Sequence, residues 1–237
     1  MATRRSFLKH LPRSTCEYRF EGIERMKQQI EHEIRAFDEN AERSQYIIFS
    51  QVPFNTIFSW PDSESFSKLF DSYSEELGLL VVKMISAPHE VASQEFHWLL
   101  GDKLQEMRIR RCIISIGRTT ASGRTRAKQP DSSYRPRKLP LNRTDNWPSV
   151  TIETGVSESR LDSDCQWWLH ESAGEVIISR AQGTTRVDGA PLIITFENLF
   201  LRAKSGDEGD IIFTTEDLQG LAEKVWDIQH FEGIEDF

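Results

Sequence analysis

Apolar residues recur along the chain with two different periods, and the switches between them mark out its elements. Ile23, Met26, Ile30, Ile34 and Phe37 fall at steps of three, four and seven, which predicts an amphipathic helix over residues 20–39. "QYIIFSQVPF" (45–54) reads as a strand, "SESFSKLFDSYSEEL" (63–77) as a short helix and "GLLVVKMI" (78–85) as a second strand. From Pro88 the pattern tightens: Ala92, Phe96, Leu99, Leu100, Leu104 and Met107 share one stripe of a helix over 88–107. "RRCIISIG" (110–117) is a strand, residues 118–130 a Gly/Ser-containing turn, and "DSSYRP" (131–136) a short extended segment. "SVTIETG" (149–155) alternates, with Val150 and Ile152 on one face and Thr151 and Glu153 on the other.

Ser159 followed by Asp162 resembles a helix start, with Leu161, Cys165, Trp168 and Leu169 as the buried stripe and Gly174 as the stop. Residues 175–181, 191–203 and 210–213 read as strands, the second with room for an interruption. Thr214 with Asp217 caps a last helix whose stripe is Leu218, Leu221, Ala222, Val225 and Trp226. From residue 88 the order is therefore helix, strand, strand, strand, helix, strand, a mixed α/β pattern with a small sheet between helices. The domain reading is a basic tail (1–17), an N-terminal α/β extension (18–85) and a core domain (86–237). No apolar run approaches the roughly 18–20 residues of a membrane span.

Charge changes the picture more than composition does. The net charge is −8, yet from Arg108 to Arg143 there are eleven Lys/Arg and a single acid, Asp131. From Lys204 to Phe237 ten Asp/Glu face two Lys. Such a concentrated basic stretch in an acidic chain points to an anionic partner. The segment "MATRRSFLKHLPRSTC" is basic, lacks the apolar stretch of a secretory signal, and reads as an arm without fixed structure rather than a mitochondrial presequence. Cys16, Cys112 and Cys165 form no CxxC, which argues for buried thiols in a reducing compartment, the cytoplasm or nucleus, and against a zinc site. The six histidines show no metal-ligand spacing.

Glu153 sits in an otherwise apolar strand, and Asp131, 22 residues earlier, opens the neighbouring one. Two carboxylates on adjacent strands have the donor chemistry for a hard cation, Mg²⁺ or alternatively Mn²⁺, which polarises phosphate and activates water. The bland alternatives are that Glu153 pairs with a neighbouring arginine and that Asp131, after Pro130, is a turn residue.

"QPD" (129–131), the strand ending in "IETG" (152–155) and the following "SES...L..D..WWL" helix resemble the PD-(D/E)XK restriction-endonuclease-like superfamily. The likeness is closer to uncharacterised fungal members and to bacterial ones whose motif lysine has moved. It covers roughly residues 86–230. The resemblance implies a mixed four-stranded sheet flanked by helices and Mg²⁺-dependent cleavage of DNA or RNA. Asp131 and Glu153 would be metal ligands, joined by Glu90 or Glu95 from the first core helix. The lysine of the motif is replaced by Gly155, and no lysine lies between Ser157 and Ser172. Lys128 or Arg160 is the available substitute, although a guanidinium stays protonated and cannot act as a base. Arg118, Arg124, Arg126 and Lys128 are the expected phosphate contacts. The functional expectation is a metal-dependent nuclease, possessing the acid pair but weakened by the lost lysine. The alternative is an inactive nuclease-fold module that binds nucleic acid or a protein partner.

Overall fold

The chain divides into two units, one of residues 1–85 with 120–129, the other of residues 86–119 with 130–237. The computed structural model describes all residues except 1–2, 41–42, 59–67, 125, 142, 155–157, 172–176, 181–190 and 232–237. Side chains are described except at these positions and at 57–58, 158–163, 170, 177–180 and 229–231.

The first unit runs α1 (Arg4–Phe7), β1 (Cys16–Arg19), α2 (Ile23–Glu39), β2 (Tyr46–Ser50), α3 (Phe54–Phe58), β3 (Phe70–Ser74) and β4 (Leu79–Lys83). The chain then leaves for α4 (Ala87–Glu106) and β5 (Ile113–Ser115) of the second unit and returns with β6 (Ala121–Ser122) and β7 (Ala127–Lys128). The resulting sheet has the order β1-β2-β4-β3-β7-β6, parallel between β1 and β2 and antiparallel elsewhere. Both its faces are covered, which is why β2 and β4 read as nearly continuous apolar runs. Ile47, Phe49, Leu80 and Val82 pack with Met26 and Ile30 of α2. Tyr46, Ile48, Leu79 and Val81 pack with Phe7 on the other side.

Three readings change here. Residues 70–74, expected within a helix, form a strand whose five residues are all buried. The turn after them, closed by Gly78 at φ +58, pairs Ser74 with Leu79, and that cross-strand pairing overrides the helical spacing. Of the rest of that helix expectation, residues 68–69 and 75–77 are turns and residues 63–67 lie outside the described residues. The basic segment 3–17, expected as an arm without fixed structure, is folded into the unit through α1, β1 and the buried Phe7. The three cysteines form no disulfide, but none is fully buried, as had been expected: Cys16 and Cys165 are half-buried, and Cys112 is exposed where it ends a one-turn helix (Arg110–Cys112) ahead of β5.

Tyr18 of β1 donates its hydroxyl to Glu33 Oε1 at 2.6 Å, and Glu33 also meets Arg43 at 3.3 Å. Burial, and then the Glu33 carboxylate, push the phenol up to about 12 from 10.0. The folded state thus holds this proton more tightly than the unfolded chain does. Its contribution is complete below pH 10 and is lost as pH rises towards 12. Across that window the wild type is expected to lose stability relative to Tyr18→Phe, read as the difference between their urea midpoints. A constant difference would contradict the assignment.

The second unit continues with β8 (Ser132–Pro136), β9 (Val150–Glu153), α5 (Glu158–Glu171), β10 (Ile177–Arg180), β11 (Leu192–Ile194), α6 (Phe196–Phe200), β12 (Ile211–Phe213) and α7 (Thr215–Phe231). Its main sheet is mixed, in the order β10-β9-β8-β5, with β9 and β10 parallel and the other neighbours antiparallel. A two-stranded antiparallel sheet, β11 with β12, stands beside it in sequence. Phe96, Leu100 and Leu104 of α4 bury themselves against Tyr134, Val150 and Ile152, with Leu218 and Leu221 of α7 packed on the same core. Helices and mixed sheet agree with the fold class expected from the element order. The strand expected over 191–203 stops at Ile194 and turns into α6, whose first amide, Phe196 N–H, donates to Asp210 at 2.8 Å. The Thr214–Asp217 cap forms reciprocally, at 2.8 and 3.2 Å. No helix among the described residues is long and apolar enough to cross a membrane.

Candidate active site

The β8–β9 register decides whether the two acids can meet. Ser132 pairs with Ile152, Ser133 with Thr151 and Tyr134 with Val150. Asp131 immediately precedes β8, and extending this register by one step sets it opposite Glu153. Directly opposed residues of antiparallel strands project to the same face with Cβ atoms about 4.5–5.5 Å apart. That face is the one turned away from Val150 and Ile152, as the alternation of the strand predicts.

The face is polar and covered. Glu153 is 4% exposed and Thr151 and Ser149 are fully buried. Trp168 of α5 donates its indole N–H to Glu153 Oε1 at 2.6 Å. Asp164, one helical turn earlier and buried, shares that side of α5. Asp131, its side chain 5% exposed, accepts from Arg118 Nη1 at 2.9 Å and from the Thr154 N–H at 2.7 Å. A guanidinium and an amide on one carboxylate stabilise its ionised form. Ser149 Oγ and Thr151 Oγ1, on the Glu153 face, have no hydrogen-bond partner among the described residues.

The other expected site residues go elsewhere. Lys128 is fully buried on β7 of the first unit, 3.4 Å from Asp71, so its ammonium is not exposed to a phosphate in solution. Arg126 is also buried in that unit, its guanidinium 5.9 Å from the Phe7 ring centre. Arg124 is exposed between β6 and β7. Of the four arginine and lysine contacts expected, Arg118 alone shares a unit with the acids, and it serves as the partner of Asp131. Glu90 is exposed at the start of α4, and Glu95 pairs with Lys224 of α7. Among the described residues no three His, Cys, Asp or Glu are grouped to hold a metal. The side chain of Arg160 and residue Gly155 lie outside the described residues. Sequence reasoning missed Trp168 as a donor and took it for packing. The i, i+4 spacing of Asp164 and Trp168 was the available signal.

For a divalent cation the donor chemistry fits: two carboxylates on one face, beside two buried hydroxyls that lack partners among the described residues. Mg²⁺ is commonly bound through one or two carboxylates, the rest of its shell being water and phosphate. Each carboxylate already accepts a donor, one of them cationic, so such an ion has to exchange with Arg118 and the Trp168 N–H.

No protein-family model matches the chain, and no curated protein matches it in sequence. Among solved structures, the chain is similar to a candidate nuclease belonging to DUF820 from Anabaena variabilis, at 12% identity and a TM-score of 0.42. The match covers 73% of this chain and 99% of that one. Similarity of this size identifies neither activity nor substrate.

Proposed function

We propose that the chain is a metal-dependent nuclease of the restriction-endonuclease-like type, hydrolysing phosphodiester bonds of nucleic acid inside the cell, in the cytoplasm or nucleus. The observation that supports the reading is the register of β8 and β9, whose extension by one residue sets Asp131 opposite Glu153 on one sheet face. The motif likeness to fungal members with a displaced lysine supports it. Asp131 and Glu153 are the residues to hold Mg²⁺ or Mn²⁺, which supplies positive charge to the phosphate and a more acidic water. Arg118 neutralises Asp131; were a cation held by that carboxylate, the guanidinium would be available to a substrate phosphate. As a guanidinium it stabilises charge and does not take protons. Trp168 holds Glu153 in one orientation and excludes water from it until that exchange.

A second reading, an inactive nuclease-fold module, is favoured by Gly155 at the lysine position and by the closure of both acids. Titrating Mg²⁺ and Mn²⁺ against plasmid and single-stranded substrates separates the two. The nuclease reading expects metal-dependent cutting that falls at least about 100-fold in Asp131→Ala. Binding without cutting at every metal concentration, or cutting indifferent to the substitution, would sink it in favour of the module.

A further inference from the structure

We propose that residues 4–13 of the first unit form a surface that binds the phosphodiester backbone of a nucleic acid, separately from the acid pair. The segment surrounds an open cleft of about 840 Å³ lined by Leu8, Leu11 and five basic residues, Arg4, Arg5, Lys9, His10 and Arg13. Arg4 is paired with Glu17. Arg5, Lys9 and Arg13 are exposed and have no acidic partner among the described residues. Three unneutralised cations within nine residues are conspicuous on a chain of net charge −8.

The way the segment is anchored selects the ligand. Phe7 is buried under the sheet, and Leu8 and Leu11 pack against the same cluster as Tyr46, Ile48, Leu79 and Val81. Phe7 is thereby committed inward, and Leu8 and Leu11 are half-buried on the same cluster, which leaves little apolar surface for the insertion that an amphipathic basic segment needs to hold a bilayer. What faces solvent is charge, rich in guanidinium, whose planar fork suits phosphate oxygens. Because the anchor fixes the backbone, the cations are held together before binding, and less ordering opposes association. A polyanion with evenly spaced phosphates is the chemistry that such a patch complements.

The test is fluorescence polarisation of a labelled single-stranded oligonucleotide with the full chain in EDTA, over a salt series. EDTA keeps the acid pair idle, so failure of the nuclease reading and failure of this surface are told apart. Arg5→Ala/Lys9→Ala/Arg13→Ala should weaken affinity on the order of 100-fold at about 0.1 M salt and reduce the salt slope by about 2. The control Arg19→Ala/Arg25→Ala/Arg35→Ala removes the same charge from exposed positions of the same unit and should change affinity several-fold at most. Arg5→Lys/Arg13→Lys, which keeps the charge, should retain most of the slope. The proposal fails if patch and control variants weaken equally or if the patch variant binds like wild type. It also fails if polyglutamate or phosphatidylserine vesicles compete as well as the oligonucleotide, which would assign the patch to an acidic protein or a membrane.

Discussion

Lys128→Ala lowers the stability of the first unit by about 3–5 kcal/mol, the usual effect of removing one member of a buried ion pair. Lys128 is fully buried on β7, and its ammonium lies 3.4 Å from Asp71 Oδ1 on β3. Asp71 is itself 2% exposed and takes the Ser72 hydroxyl at 2.8 Å on its other oxygen. Lysine is almost never fully buried without a partner. At 3.4 Å the attraction offsets only part of the desolvation of both charges. The large effect comes instead from what alanine leaves behind, a buried carboxylate that has lost the Lys128 ammonium. Asp71→Leu with Lys128→Met removes both charges and should return stability to within about 1–2 kcal/mol of wild type. Urea unfolding followed by circular dichroism reads both. A single variant as stable as wild type would mean that the pair is not what holds β7 to β3.

Trp168→Ala is expected to destabilise the second unit by a comparable amount, about 3–5 kcal/mol from the lost ring and its cavity. Trp168 is fully buried and among the largest such side chains of the protein. It meets Trp167 edge-on with ring centres 4.8 Å apart and Trp147 at 6.1 Å. Its indole N–H also satisfies Glu153, and stranding a buried acceptor adds about 1–3 kcal/mol. Trp168→Phe separates the contributions: it keeps most of the packing and loses the hydrogen bond, so its deficit should be near the smaller figure. If Glu153 holds a divalent cation, the phenylalanine variant should bind Mg²⁺ more tightly in calorimetry although it is less stable. Equal losses in the two variants would show that the hydrogen bond, and not the ring, dominates.

How much of this was legible in the sequence depends on the range over which the deciding contact acts. The helices α2 and α4 were readable because their stripes are local and each meets a single apolar surface. The two faces of β9 were readable because alternation is local too, and that alternation carried Glu153 to the correct side. Residues 70–74 misled because Leu69, Phe70, Tyr73 and Leu77 repeat at three- and four-residue steps, which mimics a helix. The hairpin that overrules them depends on Gly78 and on pairing with β4. The basic stretch 108–143 misled for a larger reason. It looks like one patch, but the chain crosses between units within it, so Arg126 and Lys128 stiffen the first sheet while Arg118 neutralises an acid in the second. Charge counting along a sequence has no access to that division. The donors to Asp131 and Glu153, a guanidinium, an amide and an indole, were equally hidden, since each is brought by the tertiary fold.

The crossing also sets the order of events on the ribosome. Synthesis delivers β1 to β4 first, then the residues of α4 and β5, and only afterwards the two short strands that finish the first sheet. Until β7 has emerged, β3 is an unpaired edge, a surface open to pairing with other chains. A nascent chain halted near residue 85 would display that edge, so neither half of this protein is completed by translating its own stretch alone.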